Sequence, residues 1–282
     1  MTNNELMQRY ASWGFPQKNI EIPKTIRINT LRTDKQTCLK ELKRIGVELE
    51  KTSLDYAYEV KGGPTLASTL PYLNGWIHIQ ELSSQLPVYV LDPKPGTKAL
   101  DVAAAPGNKT TQFAQHMENT GIVVACDAVH ERLEKLKSNC ARLGATNVVA
   151  YQIDATFADE LIKDADFVSC DVPCSGNFTQ ENWNRTMQDI FSRTELQKTL
   201  LTTSVYATKI KGSILYSTCS LEIEENEHIV EWALQELPVK LKKIDLKLGH
   251  PGLTEKTKLC KRIWPTQDKM GGFFMALLER IE

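Results

Sequence analysis

From Leu82 onward, apolar positions come in short blocks separated by longer amphipathic stretches. KALDVA (98–103), GIVVACD (121–127), NVVAYQID (147–154), DFVSCD (166–171) and GSILYST (212–218) are β-rich runs. Several are almost wholly apolar, as strands covered on both faces are. TTQFAQHM (110–117), ERLEKLKSNCARLG (131–144) and RTELQKTLLTTSVYATKI (193–210) lie between them with helical spacing, and EIEENEHIVEWALQEL (222–237) follows the fifth run. This alternation predicts an α/β fold, a doubly wound and mostly parallel sheet. LCKRIWP (259–265) and GGFFMALLER (271–280) predict an antiparallel hairpin at the sheet edge.

The first 75 residues follow another pattern. PKTIRINTL (23–31) alternates like a strand, and DKQTCLKELKRIG (34–46) reads as a helix ending at Gly46, with Leu39, Leu42 and Ile45 as its apolar stripe. VELEKTSLDYAYEV (47–60) reads as a strand, and GGP (62–64) as a turn. The prediction is a small α+β unit over 1–75, a looser link reaching Gly75, and a larger α/β unit over 76–282.

Composition narrows the function classes. The chain has 282 residues, 41% of them hydrophobic, enough for a core and too many for a disordered chain. No apolar run approaches the roughly 18 residues of a spanning helix. The start, MTNNELMQRYASWGF, shows no apolar stretch after a basic head, so a cytoplasmic protein is expected. Seven cysteines, an odd number, argue against a disulfide framework. No C-x-x-C pair or histidine cluster is present, so no metal site is expected. The net charge of −1 argues against a general polyanion binder. Its distribution is uneven. Residues 240–270 hold nine Lys/Arg against three acids, and residues 1–75 hold eleven against eight. A polyanion gripped from both ends would fit.

Ligands of open α/β sheets bind at the carboxyl ends of the strands. DVAAAPGNKTT (101–111) is such an end. It lacks the glycines of both G-x-G-x-x-G and the phosphate-binding Walker A loop. Ala103, Ala104 and Ala105 allow close backbone approach, Pro106 and Gly107 turn the chain, and Asn108 and Lys109 open a helix. Asp101 beside a helix N-terminus suits a ligand with an α-amino and carboxylate head and a nucleoside tail. Asp127 ends the second strand, where a carboxylate accepts ribose hydroxyls. Arg132 follows five residues on, and Asp154 ends the third strand, in reach of an adenine amino group. Acids at four successive strand ends, with Asp171 the fourth, favour S-adenosylmethionine over a nicotinamide cofactor.

Two cysteines also fall just past strand ends: Cys174 in DVPCSG (171–176) and Cys219 in YSTCSLEIEENE (216–227). A helix N-terminus lowers a thiol pKa, and Cys219 precedes the predicted 222–237 helix. C5 of a pyrimidine is not nucleophilic. A thiolate added at C6 makes an enamine that can attack an electrophilic methyl group. One cysteine can be the nucleophile and the other can assist release. Asp171 near N3 of the base would stabilise the developing charge.

With these residues stands a resemblance. RINTL (27–31), IQELSSQLP (79–87), DVAAAPGNKT (101–110), DVPCSGN (171–177), YSTCSLEIEENE (216–227) and RIWP…GGFFMALL (262–278) together resemble the Sun-type (Nop/Sun) RNA cytosine-C5 methyltransferases. Within that family the chain looks most like the short archaeal tRNA enzymes, which lack an added RNA-binding domain. The resemblance implies a Rossmann-like methyltransferase sheet and S-adenosylmethionine held by residues 103–109, Asp127, Arg132 and Asp154. It implies Cys219 as nucleophile on C6, Cys174 as promoter of release, Asp171 at the base and the methionine end of the cofactor, and Lys109 near the chemistry. It implies tRNA as substrate near the junction of the variable region and T stem, and a monomer, with an accessory protein left open. The family loop usually reads Cys-Ala-Ala-Pro-Gly-Gly-Lys-Thr. Here Ala103 replaces the cysteine and Asn108 the second glycine, a position where asparagine's tolerance of left-handed φ would preserve the turn. Val172 replaces a common alanine.

Arg27 and Arg262 are the candidate RNA contacts. Trp76, Phe178 and Trp183 read first as core or loop anchors, although Phe178 and Trp183 follow Cys174 where an extruded base would stack. Competing readings remain: Cys174 as nucleophile, as in DNA enzymes with a Pro-Cys dipeptide; methylation of an amide or amine nitrogen, disfavoured by Cys174 in the aromatic's place; ribosomal RNA as substrate; and a non-catalytic RNA scaffold.

Overall fold

The computed structural model describes residues 3–179 and 185–282. It opens with α1 (Asn3–Ser12), β1 (Thr25–Ile28), α2 (Lys35–Arg44), β2 (Glu48–Lys51), β3 (Ala57–Gly62), α3 (Leu70–Leu73) and β4 (Ile77–Ile79). The strands form an antiparallel sheet in the order β2-β3-β1-β4. Asp34 caps α2 by accepting the Thr37 N–H. All four residues of β1 are buried because both its faces are covered. Ile26 and Ile28 join Cys38, Leu42, Val47 and Ile77 in the core beneath α2. Thr25 and Arg27 have the opposite phase: Thr25 donates to the Gln80 carbonyl at 2.7 Å, and Arg27 faces the helix Asn108–His116 of the larger unit.

The single strand expected over 47–60 is two strands. Thr52 Oγ1 donates to the Ala57 carbonyl and accepts the Leu54 N–H, closing a turn between β2 and β3. The predicted boundary at residue 75 falls inside the small sheet, since β4 pairs with β1. Instead of a loose link, residues 66–73 form a short 3-10 helix and α3. α1 leaves the small unit altogether and packs Leu6 and Tyr10 against Leu221 and Trp264.

The larger unit comprises α4 (Leu82–Leu91), β5 (Lys98–Asp101), α5 (Asn108–His116), β6 (Ile122–Asp127), α6 (His130–Leu143), β7 (Val148–Gln152), α7 (Ala158–Leu161), β8 (Ala165–Asp171), α8 (Met187–Ala207), β9 (Thr208–Thr218), α9 (Glu227–Glu236), β10 (Val239–Lys242), β11 (His250–Pro251), β12 (Lys261–Ile263), α10 (Pro265–Asp268) and β13 (Phe273–Arg280). Its sheet runs β11-β12-β13-β9-β8-β5-β6-β7, with β10 also on β13. β9 through β7 are parallel to one another, and β13 is antiparallel to β9. The order reverses between β5 and β8, so the switch point lies where Asp101 and Asp171 end their strands. The C-terminal hairpin of β12 and β13 forms as expected, and β10 and β11 extend it. No helix among the described residues is long and apolar enough to cross a membrane.

α9 begins at Glu227, not at 222. Residues 220–226 instead form a turn whose side chains bond inward. Cys219 therefore does not run straight into α9; Asn226 at the helix start instead bonds Thr218 and Ser220, the residues on either side of it.

Candidate active site

Two adjoining cavities open at the carboxyl ends of β5, β6 and β8. The first, about 130 Å³, is lined by Ser84, Asp101, Ala103 to Pro106, Asn108, Lys109 and Asp171. Asp101 is buried. Its Oδ2 accepts from Thr110 Oγ1 at 2.8 Å, while Oδ1 has no hydrogen-bond partner. Burial pushes its carboxyl up to about 6. A buried carboxylate oxygen lacking a donor is what an ammonium group would satisfy. Most of the loop's own amides are already bonded: Ala104 to the Cys126 carbonyl, Ala105 to Asp127 Oδ2, and Gly107 to the Ala104 carbonyl. The first turn of α5 is left as the source of amides for a carboxylate.

The second cavity, about 190 Å³, is lined by Ala103, Asp127, Val129, Arg132, Asp154, Pro173, Leu196 and Leu200 among others. Asp127 is buried and accepts the Val129 N–H at 3.0 Å. Arg132 donates to the Ala105 carbonyl at 2.8 Å and lies 3.4 Å from Asp127, pinning α6 to the loop. Asp154 is exposed at the rim and caps a short 3-10 turn through Thr156. The mixed acidic and apolar lining suits a nucleoside. Gly107 lines neither cavity; its φ of 101° makes the turn, packed against Leu136.

The cysteine loops meet beside the first cavity. Cys174 Sγ and Cys219 Sγ are 2.9 Å apart. Lys109 Nζ donates to Asp171 Oδ2 at 2.6 Å, and Ser217 Oγ donates to Asp171 Oδ1 at 2.7 Å. Burial works against the Lys109 ammonium, but Asp171 beside it prevails and holds its pKa above the ordinary lysine value. The Cys219 sulfur lies within the field of the same ammonium. The hydrogen bond to Cys219, with burial, pushes the Cys174 thiol well above its ordinary value. The site therefore holds a cation, a carboxylate and two thiols, one of which keeps its proton.

Residues 88–279 match the family model described as 16S rRNA methyltransferase RsmB/F. The chain belongs to this family. It is 32% identical to a tRNA (cytosine(49)-C(5))-methyltransferase of Pyrococcus abyssi, over 99% of this chain and 96% of that protein. It is 34% identical to the 25S rRNA (cytosine-C(5))-methyltransferase nop2 of Schizosaccharomyces pombe, over 95% of this chain and 48% of that protein. The chain spans about a third to a half of its yeast and mammalian rRNA relatives. A crystal structure of a methyltransferase homolog protein from Pyrococcus horikoshii superposes with a TM-score of 0.86 at 36% identity, covering 93% of this chain and 88% of that one. The fold is thus the Rossmann-like methyltransferase sheet of the RsmB/F family.

Within this RsmB/F fold, two expected RNA contacts are corrected. Arg27 has no exposed surface. It donates to Gln80 Oε1 at 3.0 Å, to Thr111 Oγ1 at 2.8 Å and to Gln115, welding β1 to α5. Arg262 is equally buried, paired with Glu227 and donating to the Leu221 carbonyl at 2.7 Å. Neither guanidinium can reach a phosphate, because each lies under a covering element. Phe178 packs with Tyr10 in an aromatic cluster, Trp76 packs on the small core, and Trp183 lies outside the described residues.

Asn108 needs no left-handed conformation, since Gly107 supplies it. Its Oδ1 instead bonds His78 Nε2 at 2.8 Å, and Arg142 bonds His78 Nδ1 at 3.0 Å. Sequence reasoning missed Ser84 and Ser217. Ser217 stands opposite Asp171 in the parallel register of β8 and β9, a pairing legible only once the two strands are known to be neighbours.

Proposed function

We propose that the protein methylates C5 of a cytosine in RNA, with S-adenosylmethionine as donor and tRNA as substrate. The observation that carries this reading is the pair of thiols 2.9 Å apart beside the Lys109–Asp171 ion pair. A nitrogen methyltransferase has no use for two such thiols. The unpartnered Asp101 oxygen, with the apolar and acidic second cavity, fits the amino-acid head and nucleoside tail of S-adenosylmethionine. tRNA is favoured because the Pyrococcus abyssi tRNA relative matches over nearly its whole length, whereas only part of each yeast and mammalian rRNA relative is matched. The reading takes the enzyme as a monomer acting in the cytoplasm, at the variable-region and T-stem junction.

Bound S-adenosylmethionine supplies the methyl group as an electrophile. Asp101 receives its ammonium, Asp127 and Arg132 position the ribose, and Asp154 meets the adenine. Cys219 adds as thiolate to C6 of an extruded cytosine, with Lys109 nearby to favour the anion. Asp171, held by Lys109 and Ser217, faces the base and shares a proton with its N3, so that thiolate addition leaves no net negative charge on the ring. The adduct makes C5 an enamine carbon able to take up the methyl group. The C5 proton then passes to water in the open cavity and the Cys219 thiolate is expelled, which restores the aromatic ring, and Cys174 beside it assists this release.

The test is transfer of labelled methyl from S-adenosylmethionine to unmodified tRNA and ribosomal RNA in parallel, followed by nucleoside analysis. 5-Methylcytidine in tRNA is expected. Label in ribosomal RNA alone would move the substrate, and no label in either would end the enzyme reading for these RNAs. Cys219→Ala should abolish turnover, while Cys174→Ala should trap a covalent protein–RNA adduct. An adduct with Cys219→Ala instead would reverse the roles.

A further inference from the structure

Forty-five residues separate Cys174 from Cys219, yet their sulfurs stand 2.9 Å apart. β8 and β9 pair in parallel up to Asp171 and Ser217, which brings the two loops together, but each cysteine lies beyond its strand, where other contacts set the spacing. Two consecutive residues at the entrance to α9, Glu225 and Asn226, are both buried and polar. They point their side chains at different loops.

Glu225 serves the Cys174 loop. Its Oε1 accepts the Ser175 N–H at 2.9 Å and Gln197 Nε2 at 2.9 Å, and its Oε2 accepts the Ser175 hydroxyl. Gln197 also donates to the Pro173 carbonyl at 3.0 Å. The residues on either side of Cys174 are thus held, one directly and one through Gln197. Asn226 serves the Cys219 loop. Its Oδ1 accepts from Thr218 Oγ1 at 2.6 Å, and its Nδ2 donates to the Ser220 carbonyl at 3.0 Å. The residues on either side of Cys219 are held in turn. A further tie comes from Asn177, which donates to the Cys219 carbonyl at 2.7 Å. The Tyr216 hydroxyl fastens the Glu225 backbone carbonyl, so the holder is itself anchored to β9.

We propose that Glu225 and Asn226 are positioning residues that act as one two-armed holder, setting the separation of the two thiols. Because the arms are neighbours in the chain, one peptide unit ties the two loops together, alongside the Asn177 bond and the contact of the Ser175 and Ser220 hydroxyls at 3.3 Å. A buried carboxylate receiving three hydrogen bonds has no other evident use here. It is too deep to meet RNA, and its oxygens are already taken.

The inference rests on the reading that both cysteines serve the methylation, and the experiment separates the two. The spacing is read without any substrate by treating the whole protein with diamide. The reagent takes two electrons and two protons from the pair, which becomes a disulfide as the reagent is reduced to the hydrazine. Mapping the Cys174–Cys219 cross-link gives its rate. The same variants are assayed for methyl transfer, with KM for S-adenosylmethionine measured separately from kcat. Glu225→Ala and Asn226→Ala should slow cross-linking at least about fivefold and cut kcat by about 100-fold, as an ångström-scale misplacement does. KM for S-adenosylmethionine should stay within about twofold, as neither residue lines the cofactor cavities.

Glu225→Gln is the control for folding. Its carbonyl oxygen accepts the Ser175 and Gln197 N–H groups, and its amide donates to the Ser175 hydroxyl, so it should restore most of the cross-linking rate. Unchanged cross-linking in folded Glu225→Ala and Asn226→Ala would overturn the proposal. So would a loss in Glu225→Gln equal to that in Glu225→Ala. Slower cross-linking with unchanged kcat would support the holder and count against the cysteine roles in methylation.

Discussion

Replacing Arg262 tests most directly whether burial or charge decides a residue's work here. Its guanidinium has no exposed surface, and the Glu227 carboxylate opposite it has none either. The group also lies 5.1 Å from the Trp264 ring centroid and 5.6 Å from that of Phe274. Arg262→Ala removes the cation and leaves Glu227 buried with one remaining donor shown, the Leu253 N–H at 2.9 Å. Breaking one side of a buried pair costs about 3–5 kcal/mol. A domain of this kind has about 5–15 kcal/mol in all, so the loss is a large part of the total. Urea unfolding should report it as a lower midpoint at unchanged slope. Arg262→Met with Glu227→Gln removes both charges together and should recover at least half of that loss, since the stranded charge is the main cost. Binding of tRNA by the folded single variant should stay within about threefold, because no phosphate can reach the site. A stability change under about 1 kcal/mol with tenfold weaker RNA binding would refute the burial argument and return Arg262 to the RNA surface.

Two further outcomes follow from titration. With burial lifting the Asp101 carboxyl to about 6, the site binds the cofactor's ammonium best when that group is ionised, so affinity for S-adenosylhomocysteine should fall as pH drops below about 6. Calorimetry across that range checks it, and an Asp101→Asn variant that binds equally well would exclude the ammonium contact. His78 is lowered to about 3 by burial and by the Arg27 and Arg142 guanidiniums, and His116 to about 4 by burial and Arg27. The unfolded chain takes up these protons near pH 6.5 and the folded one does not, so stability should fall with pH below that point, by about 1.4 kcal/mol per unit for His78 alone. Equal urea midpoints at about pH 7 and pH 5 would show that neither imidazole is held neutral by the fold.

Much of this molecule is written locally in its chain. Strand and helix alternation after Leu82 follows from the period of apolar residues, and the acids proposed to hold the cofactor stand where those strands end. The pairing of small loop residues with Asp101, Asp127 and Asp154 could be named because each lies within a few residues of its strand. The cysteine motifs were equally plain. The alternation of PKTIRINTL also marks β1 as a strand, in which Arg27 has the phase opposite to Ile26 and Ile28 and takes the far face.

What periodicity could not supply was the identity of whatever covers that face. Alternation says that Arg27 leaves the core beneath α2, and water is the ordinary alternative. Here α5 takes the place of water, and a presumed RNA contact becomes an internal weld. Arg262 failed in the same way, because a basic run in sequence carries no information about depth. α9 starts later than expected because the glutamates at 222, 224 and 225 have good helix propensity, while buried hydrogen bonds from Glu225 to the distant Ser175 loop and from Asn226 to the adjacent Thr218 hold the segment in a turn. The 2.9 Å separation of the thiols belongs to the same class of fact. Sequence determined that each cysteine stands just past a strand end; only the packed structure, by making β8 and β9 neighbours and bonding their loops to the α9 entrance, decided that the two touch.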